Sequence, residues 1–436
     1  MEKKKIVVIG AGFAGVKFLK HLSNCKEFEI ILIDENNFHQ FQPLFYQVAS
    51  GRLESSSISF PLRKLFQRKY NIHVRVGKVE KVDTANKQVI TINGTYTYDY
   101  LIIATGCTTN YFGNKNIEQY AFPMKSTPQA IALRNKILLN FEESVNKTPE
   151  ERVPYRNIVI VGGGPTGVEL AGALAELRSR ILPKDYPDID FSDLKIYLIE
   201  SSQNTLSVMS QMAQQKSREY LERMGVYVWT NNVVSDYDGK TVTLKDGRTL
   251  LSNTVVWAAG IKGNVPEGIP QDILVRGNRI PVDEFHAVKG LQDVYVLGDV
   301  SYMETPDFPK GHAQLANVAN SQAVNLAHNF KLMLKGKQPN KFTYKSPGTM
   351  ATVGKRKAIV DMPKFSFSGR LAWFVWMFLH LMLILSAKNK LFIFFNWMIS
   401  YFTNDSTLRV IMLPSKKQIQ LGEKYLPEDA LPQSQI

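Results

Sequence analysis

Cysteine is nearly absent from this chain: Cys25 and Cys107 are the only two among 436 residues, and they form no C-x-x-C pair. This scarcity excludes a disulfide-stabilised scaffold, a cysteine-based zinc site and a redox-active pair of neighbouring thiols. We also expect no secretory signal, because the charged start runs directly into the strand-like segment Ile6–Ile9 without an apolar signal region. No metal site is expected.

The overall composition is that of an ordinary folded protein. Apolar residues make up 44% and charged residues 21%, which excludes a disordered or fibrous chain. The length predicts two to four domains. The 53 basic residues exceed the 39 acidic ones, giving a net charge of +14. Such an excess is typical of proteins that bind nucleic acid, an anionic membrane or a phosphate-rich ligand. No nucleic-acid-binding motif is found, so we expect no nucleic-acid partner.

A glycine-rich turn follows the first predicted strand. Ile6–Ile9 leads into the G-x-G-x-x-G pattern of Gly10, Gly12 and Gly15, then a helical stretch and a second strand that ends at Asp34. The first glycine allows a tight turn, the second lets the backbone approach a pyrophosphate, and the third allows close packing of helix on strand. Asp34 is placed to accept a hydrogen bond from a ribose. This βαβ unit predicts a dinucleotide site.

The same pattern restarts about 150 residues later. A predicted strand at 157–161 precedes Gly162, Gly164 and Gly167, and the following strand ends at Glu200. A carboxylate at that position binds a free ribose 2′-hydroxyl and repels a 2′-phosphate, which favours NADH over NADPH. Two such units predict two dinucleotides, and the natural pair is a tightly held flavin with an exchangeable nicotinamide.

The remaining elements are predicted from apolar runs and turn residues. Residues 72–98 are typical of short antiparallel strands, 100–104 and 294–297 of buried strands, and 128–147 and 315–334 of helices. The fold class is therefore predicted to be α/β, with two Rossmann-like dinucleotide-binding domains, one inserted in the other, plus a C-terminal membrane-associating helical region.

These features resemble the two-dinucleotide-binding flavoprotein reductases, in which the first site holds FAD and the second NAD(P)H. Thr105 and Gly106 match the element that closes the FAD domain of that superfamily, and Asp299 matches its late acidic motif, which contacts the FAD ribityl–phosphate region. Ala259 and Gly260 end the last strand of the second copy. The resemblance implies FAD and NADH as cofactors and adds these five residues to the cofactor-binding set.

The cysteine count separates branches of this superfamily. Its disulfide reductases need two neighbouring cysteines beside the flavin, and its sulfide–quinone reductases use cysteines there to carry sulfur. Cys107 follows Gly106 but has no neighbouring thiol. We therefore expect Cys107 to be a buried, small apolar residue.

The more specific resemblance is to type II NADH:quinone oxidoreductases, and it covers nearly the whole chain. The matching segments are 38–49, which includes Gln42, together with 110–113, 164–169 and 348–354. The resemblance implies transfer of electrons from NADH through FAD to a membrane quinone, menaquinone or ubiquinone, without proton pumping. It also implies a homodimer.

The quinone signature of that family is only partly present. Gln314, Leu315 and Ala316 match its first half, whereas Val318 stands where a second glutamine is expected. The alternative for Gln314 is a residue at a helix start that bonds a loop. Glu169 matches a carboxylate that the family places near flavin and quinone and that handles protons. The alternative for Glu169 is a carboxylate favoured by the helix dipole. Glu169 and Gln314 are the two candidate catalytic residues.

Two apolar stretches near the C-terminus are too short to span a membrane. Residues 371–385 would form a helix of roughly 22 Å, against a hydrocarbon core of roughly 30 Å, and 391–402 is shorter. We expect a peripheral, monotopic anchor on the cytoplasmic side of a cell membrane, with an anionic lipid surface as partner. Its predicted aromatic belt and basic residues are Trp373, Trp376, Trp397, Tyr401, Arg370, Lys388, Lys390 and Arg409. A further basic cluster, 355–357, is expected to face solvent or lipid. The alternative is a pair of core or dimer-interface helices.

The predicted organisation has four parts. They are an FAD-binding part at 1–125, an NADH-binding domain at 126–279, the second FAD-binding part at 280–345 and a membrane-anchoring region at 346–436. Two other functions stay open at this stage: a soluble NAD(P)H-dependent flavoprotein reductase of a ferredoxin-like carrier, and a redox-sensing protein that binds both cofactors without turnover.

Overall fold

The computed structural model describes residues 3–187, 189–403 and 408–413. It divides the chain into two compact units, each made of three segments. The first unit comprises 1–40, 60–108 and 261–346, and the second 41–59, 109–260 and 347–436. Residues 41–59 and 109–125, predicted within the first FAD-binding part, thus lie in the second unit, as does the C-terminal region. The assignment of a function to each of the four predicted parts stays a prediction.

Twelve α-helices occur in the described part of the chain. They are α1 Phe13–Leu22, α2 Phe45–Ala49, α3 Leu62–Phe66, α4 Lys115–Tyr120, α5 Thr127–Ser144, α6 Pro149–Arg156, α7 Pro165–Glu176, α8 Leu182–Asp185, α9 Gln211–Arg223, α10 Ala316–Met333, α11 Arg370–Leu383 and α12 Ala387–Thr403. The helices predicted at 128–147 and 315–334 are confirmed as α5 and α10. Ser126 is the N-cap residue of α5, and its hydroxyl accepts a hydrogen bond from the Gln129 amide at 3.3 Å.

The first unit is built on a five-stranded parallel sheet. Its strands, in spatial order, are Val294–Val296, Tyr100–Ile103, Lys4–Ile9, Phe28–Asp34 and Ile72–Val76. Ile9 is in register with both Ile33 and Ile103, so the strands end at one edge. The central strand is apolar because both of its faces are covered. In an open parallel sheet, ligands bind beyond the carboxyl ends of the strands.

The second unit repeats this arrangement. Its parallel sheet has the spatial order Phe122–Pro123, Thr254–Trp257, Asn157–Val161, Lys195–Ile199 and Val226–Trp229. In both sheets the central strand is the one that leads into a glycine turn. The predicted α/β class with two Rossmann-like units is confirmed.

Smaller sheets accompany the two parallel ones. The first unit has the antiparallel strands Val79–Asp83, Gln88–Thr91 and Gly94–Thr97, and the parallel pair Ile280–Pro281 and Ser301–Tyr302. The antiparallel prediction for 72–98 is therefore confirmed from Val79 onward but wrong for Ile72–Val76, which is an edge strand of the parallel sheet. The second unit has two antiparallel sheets, Val234–Tyr237 with Thr241–Leu244 and Thr249–Leu251, and Thr349–Thr352 with Ala358–Asp361 and Ser366–Gly369. Further short strands are Phe38–Gln40, Ser59–Pro61, Cys107–Thr109 and Ile261–Gly263.

The two apolar stretches near the C-terminus form α11 and α12. They follow the strand Ser366–Gly369 in the second unit. Neither helix, nor any other in the described part of the chain, combines the length and the apolar character that crossing a membrane requires.

Candidate functional site

The first glycine turn lies at the carboxyl edge of the first parallel sheet. Gly10 has a φ of +101°, and a Cβ there would lie 2.3 Å from the Ala104 carbonyl oxygen. A Cβ on Gly15 would lie 1.9 Å from the Gly10 carbonyl oxygen. A Cβ on Gly12, in contrast, would have no atom from another part of the chain within 4 Å. The outer two glycines therefore allow the turn to pack, whereas Gly12 leaves an open space at the start of α1.

Asp34 is hydrogen-bonded to this turn. Its Oδ2 accepts the Ala11 amide at 2.6 Å, and its Oδ1 accepts the Asn36 amide at 2.7 Å. Burial outweighs these bonds and raises the pKa of Asp34 to about 6. The start of α1, at Gly12, has no side-chain cap, so its first amides can receive a phosphate. His39, which the sequence interpretation did not single out, donates from Nδ1 to the Ala11 carbonyl at 2.8 Å.

The predicted acidic motif is a turn held by two glutamines. Gly298 has a φ of +74°, and its amide donates to Oε1 of buried Gln322 at 2.8 Å. The Asp299 carbonyl accepts Nε2 of Gln314 at 2.9 Å. Gln314 thus makes the loop contact that was its alternative role, and a contact with quinone stays a prediction. The bond between Gln322 and Gly298 was not predicted from the sequence.

Arg279 joins this turn to the segment before α10. Its Nε donates to the Ser301 carbonyl at 2.8 Å and its Nη2 to the His312 carbonyl at 2.9 Å. Burial lowers the pKa of this guanidinium. Leu315 is the N-cap residue of α10, whose first helical residue is Ala316. The segment that leads into α10 is therefore attached to the acidic turn by Gln314 itself and, at His312, by Arg279.

The Thr105-Gly106 element and Cys107 lie in the same unit. The Thr105 hydroxyl donates to the Asn264 carbonyl at 2.5 Å, and the Gly106 carbonyl accepts the Asn264 amide at 3.0 Å. Cys107 is half-buried, and its thiol donates to Oδ2 of Asp299 at 3.0 Å. The expectation of a buried apolar residue is wrong, because the thiol serves as a hydrogen-bond donor to the predicted flavin acid.

The second glycine turn has the geometry of the first. Gly162 has a φ of +112°, and its Cβ would lie 2.5 Å from the Ala258 carbonyl oxygen. A Cβ on Gly167 would lie 1.9 Å from the Gly162 carbonyl oxygen, whereas Gly164 again has open space around its Cβ position. The start of α7, at Gly164, has no side-chain cap. Both units therefore present an uncapped helix start beside an open glycine, which fits a dinucleotide pyrophosphate in each.

Glu200 takes the place of Asp34 in the second unit. Its Oε2 accepts the Gly163 amide at 2.5 Å, and its Oε1 accepts the amide and the hydroxyl of Ser202, each at 2.6 Å. Burial opposes ionisation, but these bonds prevail and lower the pKa of Glu200. Glu200 is therefore a carboxylate at neutral pH, as discrimination against a 2′-phosphate requires.

Ala259 and Gly260 lie just beyond the strand Thr254–Trp257. Ala259 is exposed, and the Gly260 carbonyl accepts the Asn110 amide at 3.0 Å. Phe112 is 66% exposed with a φ of +53°, and its ring would lie 2.7 Å from a Cβ on Gly260. The segment 110–113, noted in the sequence for its resemblance alone, thus packs against Gly260, and a side chain at 260 would require the exposed Phe112 ring to move.

Glu169 is buried on α7, beyond its first turn. Oε1 accepts the Thr352 amide at 3.2 Å and the Thr352 hydroxyl at 3.4 Å. Burial raises the pKa of Glu169 to about 8, although both bonds act in the opposite direction. A carboxylate that is stabilised mainly by the helix dipole lies in the first turn of its helix, and the dipole lowers its pKa. The observed environment is that of a carboxyl that holds its proton near neutral pH.

A series of buried side chains extends from Glu169 to the C-terminal helix. Oη of Tyr46 lies 2.8 Å from Oγ1 of Thr352. Nε2 of Gln47 donates to Oη of Tyr46 at 3.0 Å, and Nε1 of Trp397 donates to Oε1 of Gln47 at 2.7 Å. Tyr46 and Gln47 lie in the segment 38–49 but were not predicted as site residues. Gln42, the residue predicted in that segment, is exposed at the start of a short helical turn.

Charged groups near α7 are paired. Arg52 forms a buried ion pair with Glu176, whose Oε1 also accepts the Lys355 amide at 2.6 Å. The side chain of Lys355 donates to the Ser400 carbonyl, and Nη2 of Arg356 donates to the Tyr401 carbonyl at 2.8 Å. The prediction that 355–357 faces solvent or lipid is wrong for Lys355 and Arg356, because they bind carbonyls in the last turn of α12.

The outward face of α11 and α12 is apolar, but its aromatic residues differ from those predicted. Trp373, Trp376 and Trp397 are buried, so the expected tryptophan belt is wrong. Arg409 pairs with Asp185 instead of being unpaired beside lipid. The exposed large side chains of the two helices are Leu371, Phe374, Phe378, Leu379, Met382, Leu383, Leu391, Phe392, Phe395, Ile399 and Phe402.

Comparison with known proteins places these features in a family context. The model of the pyridine nucleotide-disulphide oxidoreductases matches residues 4–323, and that of the NDH2 C-terminal domain matches 347–404. The type II NADH:quinone oxidoreductase Ndh of Mycobacterium tuberculosis is 32% identical over 92% of this chain and 88% of its own length. The internal alternative NAD(P)H-ubiquinone oxidoreductase A1 of Arabidopsis thaliana mitochondria is 28% identical over 92% of this chain and 84% of its own length.

Solved structures agree on the fold. The structure of NDH2 from Plasmodium falciparum in complex with NADH has a TM-score of 0.85 at 22% identity, and the match covers 94% of this chain and 100% of that one. The sulfide:quinone oxidoreductase of Aquifex aeolicus has a lower TM-score, 0.70 at 19% identity, with 92% of this chain and 96% of that one covered.

Proposed function

The chain belongs to the type II NADH:quinone oxidoreductases, and from this premise we propose which of its residues hold the two cofactors, handle protons and meet the membrane. It is an FAD-dependent enzyme that transfers electrons from NADH to a quinone without proton pumping. When bound, FAD supplies the redox chemistry between the two substrates. The observation that supports this function most directly is that both units have the same three features: an open glycine, an uncapped helix start and an acid bonded to the glycine turn.

The first unit holds FAD in this proposal. Gly12 and the first amides of α1 receive the pyrophosphate, and Asp34 receives the ribose. Asp299 binds the ribityl–phosphate region, in a turn kept in shape by Gln322 and Arg279. Two backbone amides fix the Asp34 carboxylate, and the Cys107 thiol bonds that of Asp299, so the site is preorganised before the cofactor binds. The remaining members of the proposed FAD set in this unit are Gly10, Gly15, Thr105, Gly106, Leu315 and Ala316. Gln42 lies in the second unit, and its role toward FAD stays a prediction of the resemblance.

The second unit holds NADH. Gly164 and the uncapped start of α7 receive the pyrophosphate, while Glu200 accepts the ribose 2′-hydroxyl and repels a 2′-phosphate. Gly162 and Gly167 provide the turn and the close packing. Ala259 is exposed beside the last strand, where a nicotinamide can approach the backbone.

Glu169 donates a proton to quinone as it is reduced. Quinone reduction consumes two protons in a site that excludes most water, so a buried acid must provide at least one of them. With a pKa of about 8, Glu169 is about nine-tenths protonated at pH 7 and about one-tenth protonated at pH 9. The rate of quinone reduction should therefore fall about tenfold over this range. Gln314 is proposed as a quinone contact from the resemblance alone.

The test of this role is Glu169→Gln. The variant should reduce quinone slowly and without the alkaline decline, whereas NADH should reduce its flavin at the wild-type rate. The two half-reactions are separated by stopped-flow absorbance, with flavin reduction measured in the absence of quinone. An unchanged pH profile, or an equal loss in both half-reactions, would remove the proton role.

The apolar face of α11 and α12 binds a membrane on its cytoplasmic side and gives a lipid-soluble quinone access to the enzyme. Eleven large apolar side chains are exposed along these two helices, more than a face in contact with water ordinarily carries. The positive charge of the chain favours anionic lipid. A homodimer stays a prediction of the resemblance.

Point substitutions test the membrane face better than truncation. Removing everything after Pro363 would also delete the strand Ser366–Gly369 and Trp397, which belong to the packed fold. Replacing both Phe378 and Phe395 by serine should instead weaken sedimentation with anionic vesicles and leave reduction of a water-soluble quinone intact. Replacement of the buried Phe141 by leucine is the control, since it changes apolar volume away from this face.

The choice of acceptor separates this enzyme from the carrier-reductase alternative. Steady-state assays should give turnover with a lipophilic quinone and none with ferredoxin. The opposite preference would refute the proposed acceptor.

A further inference from the structure

The hydrogen bonds between Trp397 and Glu169 have one direction only. The indole N–H of Trp397 is a donor without an acceptor function, so the Gln47 amide must turn its oxygen toward it. The nitrogen of Gln47 then faces Tyr46 and donates to its Oη. Because that oxygen accepts this bond, the single Tyr46 hydrogen goes to the other neighbour, Oγ1 of Thr352.

The direction continues to the carboxyl group. Oγ1 of Thr352 accepts the hydrogen of Tyr46, which leaves its own hydrogen for Oε1 of Glu169. The Thr352 amide donates to the same oxygen. All hydrogens of the series therefore point toward Glu169, and none of these groups is a base that takes a proton from it. Hydrogen bonds of this polarity favour the ionised form of a carboxyl group.

We propose that Trp397 is a positioning residue for quinone reduction: by fixing the direction of the Gln47, Tyr46 and Thr352 hydrogen bonds, it stabilises the carboxylate that remains after Glu169 has released its proton. The inference rests on the proposed proton role of Glu169 and adds to it a link to α12. Trp397 thereby gives α12 a function in proton release. The other face of the same helix carries exposed apolar side chains.

The other titratable groups near α7 have partners of their own or are exposed, so the hydrogen bonds described above form the polar environment of Glu169. Tyr46 is the titratable side chain that α2 contributes, and the strand Thr349–Thr352 contributes none. The titratable groups on the other elements packed against α7, or adjoining them, are paired or exposed. They are Arg52 with Glu176, Arg178 with the Leu194, Met224 and Gly225 carbonyls, Lys216 and Arg223 with Glu219, Arg218 with Glu222, Tyr220 with Ser368, Tyr197 stacked on Tyr227, and exposed Lys195 and Arg180.

The structure contains a matched control for Trp397. Trp376 on α11 is also buried, and its ring centroid lies 5.3 Å from that of Trp397. Within the described residues, Nε1 of Trp376 has no hydrogen-bond partner. Both Trp397→Phe and Trp376→Phe shrink an aromatic side chain in the same cluster, but only the first removes a bonded N–H.

The experiment is a pH profile of quinone reduction by the full-length, FAD-loaded enzyme with a lipophilic quinone in anionic vesicles. Trp397→Phe should move the alkaline decline upward by about 0.5 to 1 pH unit, because the carboxylate loses part of its stabilisation. Tyr46→Phe should move it in the same direction, and Trp376→Phe should leave it in place. Flavin reduction by NADH should be the same in all three variants.

Two results would overturn the inference, and they are distinguishable. If Glu169→Gln abolishes the alkaline decline but Trp397→Phe and Tyr46→Phe leave it in place, the positioning role is wrong and the proton role stands. If the wild type has no decline that Glu169→Gln abolishes, the proton role fails and the positioning role with it. Should Trp397→Phe not fold, Tyr46→Phe decides alone, since Oη is the only atom it removes from the series.

Discussion

Replacing Gly164 by alanine should weaken NADH binding without weakening the fold. The residue has a φ of −71° and a ψ of −179°, which alanine adopts freely, and its Cβ position is open. A glycine-to-alanine change at such a site leaves the free energy of unfolding unchanged or raises it by about 0.4–1 kcal/mol. The added methyl group occupies the space that we assign to the pyrophosphate, next to the uncapped start of α7.

The expected loss of affinity follows from the bonds that the methyl group displaces. A hydrogen bond from a backbone amide to a charged phosphate contributes about 1.5–3 kcal/mol, so losing one should weaken NADH binding about 10- to 150-fold. The dependence of the flavin reduction rate on NADH concentration measures this affinity, and thermal unfolding measures stability. FAD content should not change, because the first glycine turn is untouched.

Gly167→Ala is the contrasting variant. Its Cβ would lie 1.9 Å from the Gly162 carbonyl oxygen, so helix and turn must move apart at a cost of at least about 1–3 kcal/mol in unfolding free energy. If Gly164→Ala binds NADH within twofold of the wild type, the pyrophosphate does not lie at this glycine and the assignment of the second site is wrong.

Three further changes test other parts of the site. Gln322→Leu leaves the half-buried Gly298 amide without its acceptor, so FAD should bind about 5- to 150-fold more weakly in a fluorescence titration; unchanged affinity would show that this turn does not support the flavin. Glu200→Gln removes the carboxylate that repels a 2′-phosphate, so the preference for NADH over NADPH in stopped-flow reduction should shrink, and a preserved preference would contradict the assignment. Arg52→Met strands a buried carboxylate at Glu176 and should lower the free energy of unfolding by about 3–5 kcal/mol in denaturant titrations, while adding Glu176→Gln should restore much of it; equal stability of single and double variants would argue against the ion pair.

Local patterns made the two cofactor cradles predictable from sequence. Each consists of a strand, a glycine turn, a helix and a strand-end acid within one βαβ unit, so spacing alone specifies which residues meet. The structure adds that Asp34 and Glu200 both bind the second amide of their own turn. That contact follows from the in-register ends of neighbouring parallel strands.

The long-range contacts could not be predicted in the same way. Trp397 and Gln47 are 350 positions apart in sequence, and no periodicity connects them. The tryptophans of α11 and α12 were expected at a lipid interface because of their residue type, but composition does not specify which face of a helix they occupy. Their burial leaves phenylalanine, leucine, methionine and isoleucine on the exposed face.

An anaerobic titration of the purified, FAD-containing enzyme tests the central claim most directly. One equivalent of NADH should reduce the bound flavin, and one equivalent of a lipophilic quinone should restore its oxidised absorbance spectrum. A flavin that NADH does not reduce, or that a ferredoxin reoxidises while quinone does not, would contradict the account.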